Sequence, residues 1–178
     1  MSEEFRPQKI HIIGSVGSGK TTLAKELSAL SSAAHYELDN IVWERSSIGD
    51  RRRTDKEKKE ILNEIIGSAA WIIEGVHTDA WMEGSLQQAD VIILLDPGYK
   101  VRNLRIIKRY LRQISGLESA NYKPSFRIFL NMFKWNRYFE HTTKPYIFDT
   151  YLNYGHKVII AENKADVIDY LHFAKKPF

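Results

Sequence analysis

Residues 14–21 read Gly-Ser-Val-Gly-Ser-Gly-Lys-Thr and match the spacing G-x-x-x-x-G-K-[ST]. Few short patterns constrain a chain more, because the motif works only as a tight turn between a strand and a helix. Both flanks fit. Lys9–Ile13 is a short apolar run that ends at a glycine, as a buried parallel strand entering a turn would. From Thr21 onward Leu23, Leu27 and Leu30 recur at helical spacing. In such a loop Gly14, Ser15, Val16, Gly17, Ser18 and Gly19 can turn successive backbone N–H groups toward one polyphosphate. The helix beginning near Lys20, Thr21 and Thr22 adds the positive end of its dipole. Lys20 is then a mobile cation for the β- and γ-phosphates, and the Thr21 hydroxyl is a ligand for Mg²⁺. The expected ligand is ATP, or a closely similar nucleoside triphosphate, together with Mg²⁺.

Further strand candidates are residues 35–38, Trp71–Glu74, Val91–Leu95 and residues 157–160, separated by longer segments of helical pattern. This alternation predicts an α/β fold of the P-loop NTPase kind, with about five parallel strands flanked by helices. The 178 residues, 43% of them hydrophobic, suit one domain with one core. Two insertions, residues 40–67 and 115–145, follow strand ends on the side where open α/β sheets bind ligands. They are expected to form an acceptor-binding segment and a helical lid. The chain has no cysteine, which excludes disulfides and thiolate metal sites and points to a reducing, cytoplasmic setting. The N-terminal residues lack the pattern of a signal peptide, and no apolar run approaches the ~20 residues that span a bilayer.

The stretch Ile12-Ile-Gly-Ser-Val-Gly-Ser-Gly-Lys-Thr-Thr-Leu-Ala-Lys-Glu-Leu resembles the start of the adenylate kinase-like P-loop kinases. A closer resemblance combines His11-Ile-Ile-Gly, Leu38-Asp-Asn-Ile-Val-Trp43, Trp71-Ile-Ile-Glu-Gly75, Ala89-Asp-Val-Ile-Ile-Leu-Leu-Asp96, Arg105 and Arg109. Together these are similar to the small bacterial DNA topology modulation, or FlaR-like, proteins, over residues 9–112 and 155–171. The resemblance implies a nucleoside or nucleotide kinase fold with an ATP site. No segment resembles a strand-cleaving or recombining enzyme.

Several residues then become candidates for the chemistry. Asp39 follows the second strand, where kinases that phosphorylate a hydroxyl, such as shikimate and gluconate kinases, place an aspartate against the acceptor. It could orient the hydroxyl and take its proton, hold Mg²⁺ through water, or cap a helix beginning near Asn40. True adenylate kinases carry a Ser/Thr-Gly-Asp pattern there, which this chain lacks. Glu74 ends its strand at the position of a Walker B acid and is the preferred metal ligand beside Thr21. Asp96, before Pro97-Gly98, reads as a turn residue and helix cap.

Arg102, Arg105, Arg109 and Arg112 are spaced by three, four and three, so they form one helical stripe, with Val101, Leu104, Ile107 and Leu111 on other faces. In the related kinases such a helix leads into a lid, which makes Arg105 and Arg109 candidates for stabilising the transferring phosphoryl group. The alternative is a solvated face. The charge is uneven as well: residues 99–144 hold 11 Lys/Arg against Glu118 and Glu140, or +9, while the whole chain is +4. Phe126, Phe129, Leu130 and Phe133, interleaved with Lys123, Arg127, Lys134 and Arg137, could stack on single-stranded nucleic acid or form a small core. The favoured function is a phosphotransferase acting on a nucleoside, nucleotide or other hydroxyl-bearing metabolite. A nucleic-acid-associated NTPase and an ATP-binding regulatory module are the alternatives.

Overall fold

The computed structural model describes residues 7–46, 49–118 and 124–173. Its centre is a parallel sheet of β1 (Lys9–Ile13), β2 (Ala34–Glu37), β5 (Trp71–Glu74), β6 (Val91–Leu95) and β7 (Val158–Ala161), in the order β2-β5-β1-β6-β7. The short antiparallel pair β3 (Trp43–Glu44) and β4 (Arg51–Arg52) stands apart from it. All five expected strands are present within about one residue of their expected ends.

Residues in the inner strands are buried on both faces, which is why β1, β5 and β6 read as predominantly apolar runs. Ile10, Ile12, Ile72, Val91 and Ile93 pack with Leu23 and Leu27 of α1 (Lys20–Ser31) and with Val167 of α8 (Lys164–Phe173). Trp71, Ile73, Ile92 and Leu94 form the opposite face. That face is covered by α2 (Leu38–Val42), α3 (Asp55–Ile66), α4 (Glu83–Gln88) and α7 (Lys144–Tyr151). α3 begins with a capping box in which the Thr54 side chain and the Glu57 backbone, and the reverse pair, satisfy each other. Between β6 and α7 the chain forms α5 (Tyr99–Ile114), α6 (Phe126–Tyr138) and a π-helical turn (Phe139–Thr143). Among the described residues no helix is long and apolar enough to cross a membrane.

One core position departs from the apolar pattern. His11, in the central strand, is fully buried, and neither ring nitrogen has a partner. Burial, and secondarily the neighbouring His77, depresses it to about 3. The folded chain therefore keeps this imidazole neutral, whereas the unfolded chain protonates it near pH 6.5. Protons bind the unfolded state preferentially between about pH 6.5 and about 3, so stability falls as pH falls through that window. Urea unfolding should show that His11→Leu flattens this acid-side loss and raises stability at pH 7, since it removes an unpaired buried polar group. An unchanged difference in stability between pH 7 and pH 5 would contradict this account.

Candidate active site

The loop after β1 gathers the first group of candidates. Gly17 has φ +76, and a Cβ there would lie 2.7 Å from the Arg102 carbonyl oxygen, so both conformation and space demand glycine. Gly19 has φ +98 and stands at the N-cap of α1 without any side-chain cap. The first turn of α1 contains no acidic residue either. Its N–H groups at Lys20, Thr21 and Thr22 thus lack the acceptor that a Ser, Thr or Asp cap would provide, which is the donor set an anion requires.

Lys20 and Thr21 both turn toward β5. The Thr21 hydroxyl donates to Glu74 Oε1 at 2.6 Å, and Lys20 Nζ lies 3.8 Å from Glu74 Oε2 and 3.4 Å from the Ser15 carbonyl oxygen. Glu74 is buried. In-register pairing of β2 with β5 sets Glu37 beside Glu74, and His35 falls on the same face two residues earlier. Ligand atoms of His35, Glu37 and Glu74 lie within 4.8 Å of one another. Oxygen donors from Thr21, Glu74 and Glu37 fit a hard divalent cation such as Mg²⁺. His35 and Glu37 were missed in the sequence, although strand parity alone places them on the Glu74 face once the register is known.

Asp39 lies in the first turn of α2, whose N-cap is Glu37, so the helix starts earlier than expected and Asp39 is not its cap. Its side chain is 74% exposed and its Oδ1 lies 3.4 Å from His77 Nε2. The nearby His77 side chain is the main influence on its carboxyl; partial desolvation by the surrounding residues opposes it, and the charges of Lys20, His77 and Arg45 add to it. The result is a carboxyl held below the usual range, and hence ionised at neutral pH. His77 also approaches Asp79, at 4.0 Å. Next to Glu37 and Asn40 is an open cleft of about 500 Å³, walled by Ile41 on one side and Ile61, Glu64 and Ile65 of α3 on the other.

Of the arginine stripe Arg102 faces inward and Arg109 is half-buried, while Arg105 and Arg112 are exposed. Arg102 is fully buried and pairs with Asp96 and Glu140, while Lys144 contacts the same two carboxylates at 2.5 Å and 3.2 Å. Asp96 is therefore the anchor of an ion-pair network; Gly98, not Asp96, caps α5. Arg105 donates from Nη1 to the Ser18 carbonyl at 2.6 Å, on the outer side of the phosphate loop. Arg109 reaches α6, with Nη2 3.1 Å from Met132 Sδ, and its Nε is buried without a partner. Neither arginine is drawn to Glu74 or Asp39 in this conformation. A second tie is polar and buried: Ser15 Oγ pairs with Asn136 Oδ1 at 2.9 Å, and Asn136 Nδ2 donates to Asn103 Oδ1 at 2.8 Å. No sequence signal marks Asn136.

The aromatic segment divides. Phe129 stacks on Tyr110 at 4.3 Å and meets Phe133 edge-on, whereas Phe126, Trp135 and Tyr138 are exposed. Lys123 lies outside the described residues. In the first insertion Arg51 pairs with Glu44 and Glu57, and Arg53 donates to the Asn40 and Ile41 carbonyls. Two of the three consecutive arginines at 51–53 thus hold the insertion itself together.

Among solved structures, the chain is similar to the shikimate kinase from Acinetobacter baumannii in complex with shikimate. The match covers 98% of this chain and 97% of that one, with a TM-score of 0.58 and 19% sequence identity. The fold is that of a small P-loop kinase. No family model matches the sequence, and neither does any curated protein. The loop at residues 14–19 follows the C-terminal end of β1 and Asp39 follows the C-terminal end of β2, the side on which open α/β sheets bind ligands.

Proposed function

We propose that this protein is a cytoplasmic, single-domain small-molecule kinase that transfers the γ-phosphoryl group of ATP to a hydroxyl. The observation that carries the reading is the uncapped N-terminus of α1, set between Gly19 and the buried Thr21–Glu74 pair. Residues 14–22 hold the polyphosphate through backbone N–H groups. Lys20 moves from the Ser15 carbonyl to the β- and γ-phosphate oxygens. Mg²⁺, held through Thr21 and Glu74, would neutralise charge on those oxygens. Asp39, ionised and open to solvent, orients the acceptor hydroxyl and takes its proton as the bond to phosphorus forms. The departing ADP leaves with the electron pair of the broken P–O bond. Residues 40–67 form the acceptor-binding segment and residues 115–145 the lid. Closure of that lid would bring Arg105 and Arg109 toward the phosphates. The FlaR-like resemblance belongs to the same reading.

The open cleft lined by Asn40, the residue after Asp39, carries Glu37 and Glu64 as its charged walls, with His35. Such a lining favours a neutral or cationic hydroxyl compound over one bearing phosphate or carboxylate. ADP release measured across nucleosides, polyols and amino alcohols should reveal at least one acceptor that raises the rate about tenfold or more over basal hydrolysis. Phosphate-bearing acceptors should be poorer. If no compound raises the rate, and single-stranded DNA does, the nucleic-acid-associated NTPase takes over. That alternative rests on the basic stretch of residues 99–144, yet three of its arginines, Arg102, Arg105 and Arg109, are engaged within the fold.

A further inference from the structure

α5 buries Arg102 and Ile106, sets Arg105 and Arg109 against the loop at residues 14–19 and α6, and turns its other aliphatic residues to solvent. Val101, Leu104, Ile107, Leu111 and Ile114 recur at intervals of three, three, four and three, which places them along one side of the helix. They are 44%, 67%, 40%, 55% and 57% exposed, and Leu117, just beyond the helix, is 75% exposed. Scattered exposed aliphatics need no explanation, but a continuous stripe along a 16-residue helix does.

We infer that this stripe is a dimer interface, at which α5 packs antiparallel against α5 of a second copy of the chain. The surface is self-complementary about a two-fold axis near Ile107. Leu104 of one copy then lies opposite Leu111 of the other, and Val101 opposite Ile114, with the two Ile107 side chains meeting beside the axis. Lys108, at the rim, can lay its stem along the stripe and keep its ammonium in water.

The area suits a second copy. The stripe presents on the order of 600 Å² of apolar surface, at the upper limit for a monomer's largest patch. Covering it on two copies removes on the order of 1,200 Å² from water, above the ~1,000 Å² that a specific interface needs. A membrane surface fits less well. An interfacial helix presents a basic polar face to lipid headgroups, whereas Arg102 and Arg109 are turned into the fold and Arg112 pairs with Glu118 at 3.3 Å. Dimerisation would also brace the site, because the opposite face of α5 carries Arg105 against the Ser18 carbonyl and backs Gly17 with the Arg102 carbonyl.

The chain has no cysteine, so introduced ones report cleanly. Under mild oxidation Ile107→Cys, next to the axis, should give an intermolecular disulfide in most of the protein, while Leu30→Cys, at the more exposed position on α1 (72% against 40%), should not. By sedimentation velocity at tens of micromolar, the wild type should show about twice the 20.7 kDa chain mass. The Leu104→Glu/Leu111→Glu double variant should be monomeric with an unchanged circular dichroism spectrum. Mixing it with Leu104→Lys/Leu111→Lys should restore the dimer mass, since an antiparallel pairing sets each acid opposite a base. A wild type that is monomeric at 100 μM would overturn the inference. So would a dimer that both double variants retain, or equal crosslinking of Leu30→Cys. Binding of a monomeric wild type to vesicles containing phosphatidylserine, lost in the double variants, would reassign the stripe to a membrane surface.

Discussion

Replacing Lys20 with methionine should lower ATP turnover by about 10²- to 10³-fold, the loss typical when one preorganised charge is removed from a transferring group. The site makes a second effect follow from the first. Glu74 is buried, with Thr21 as its hydrogen-bond donor and Lys20 as its nearby cation. Without Lys20 that carboxylate loses charge compensation in a low-dielectric setting, so the melting temperature should drop by a few degrees. Adding Glu74→Gln to Lys20→Met removes the uncompensated charge and should restore the melting temperature without restoring turnover. A rescue of stability alone separates the catalytic contribution of Lys20 from its structural one. Wild-type turnover in Lys20→Met would reject the phosphate-loop reading altogether.

What the sequence disclosed was local. β1, β5 and β6 were readable because a parallel strand buried on both faces is apolar at most positions, and the phosphate loop was readable because its glycines meet a backbone demand within eight residues. The arginine stripe shows where such reading stops. Periodicity established that Arg102, Arg105 and Arg109 share a face but not which way that face points. Charged faces ordinarily point outward. Here Arg102 is drawn inward by Glu140, 38 positions later in the chain, and by Asp96, whose acid group had looked sufficient to itself as a helix cap. The Ser15–Asn136 bond spans 121 positions and has no local counterpart at all. Similarly, His35 and Glu37 join Glu74 only through the pairing of β2 with β5, strands separated by the whole of the first insertion. Non-local polar partners decide both the orientation of α5 and the composition of the cation site.

Asp39→Asn should cut transfer to the acceptor by roughly 10²- to 10⁴-fold while sparing ATP affinity, as expected for loss of a base that acts on the hydroxyl and not on the nucleotide. Slow hydrolysis to water should persist. The structure sharpens the expectation through His77, whose Nε2 lies 3.4 Å from Asp39 Oδ1 and whose approach is the main cause of the lowered carboxyl pKa. A carboxylate held below its usual range is a weak proton acceptor. Its greater service is to hold the hydroxyl in line with the γ-phosphoryl group, with the proton moving late in a loose transition state. The acid limb of kcat/KM should accordingly lie below the ~3.9 of an ordinary aspartate. In His77→Ala the depressing contact is gone, so that limb should move to higher pH, toward the ordinary value. At neutral pH Asp39 stays ionised in both proteins, and the two should differ there far less than either differs from Asp39→Asn. A pH profile for His77→Ala superimposable on wild type would remove His77 from this role. If acceptor phosphorylation itself proves insensitive to Asp39→Asn, the carboxylate does not act on the hydroxyl, and Glu37, at the end of β2 beside the same cleft, becomes the residue to test.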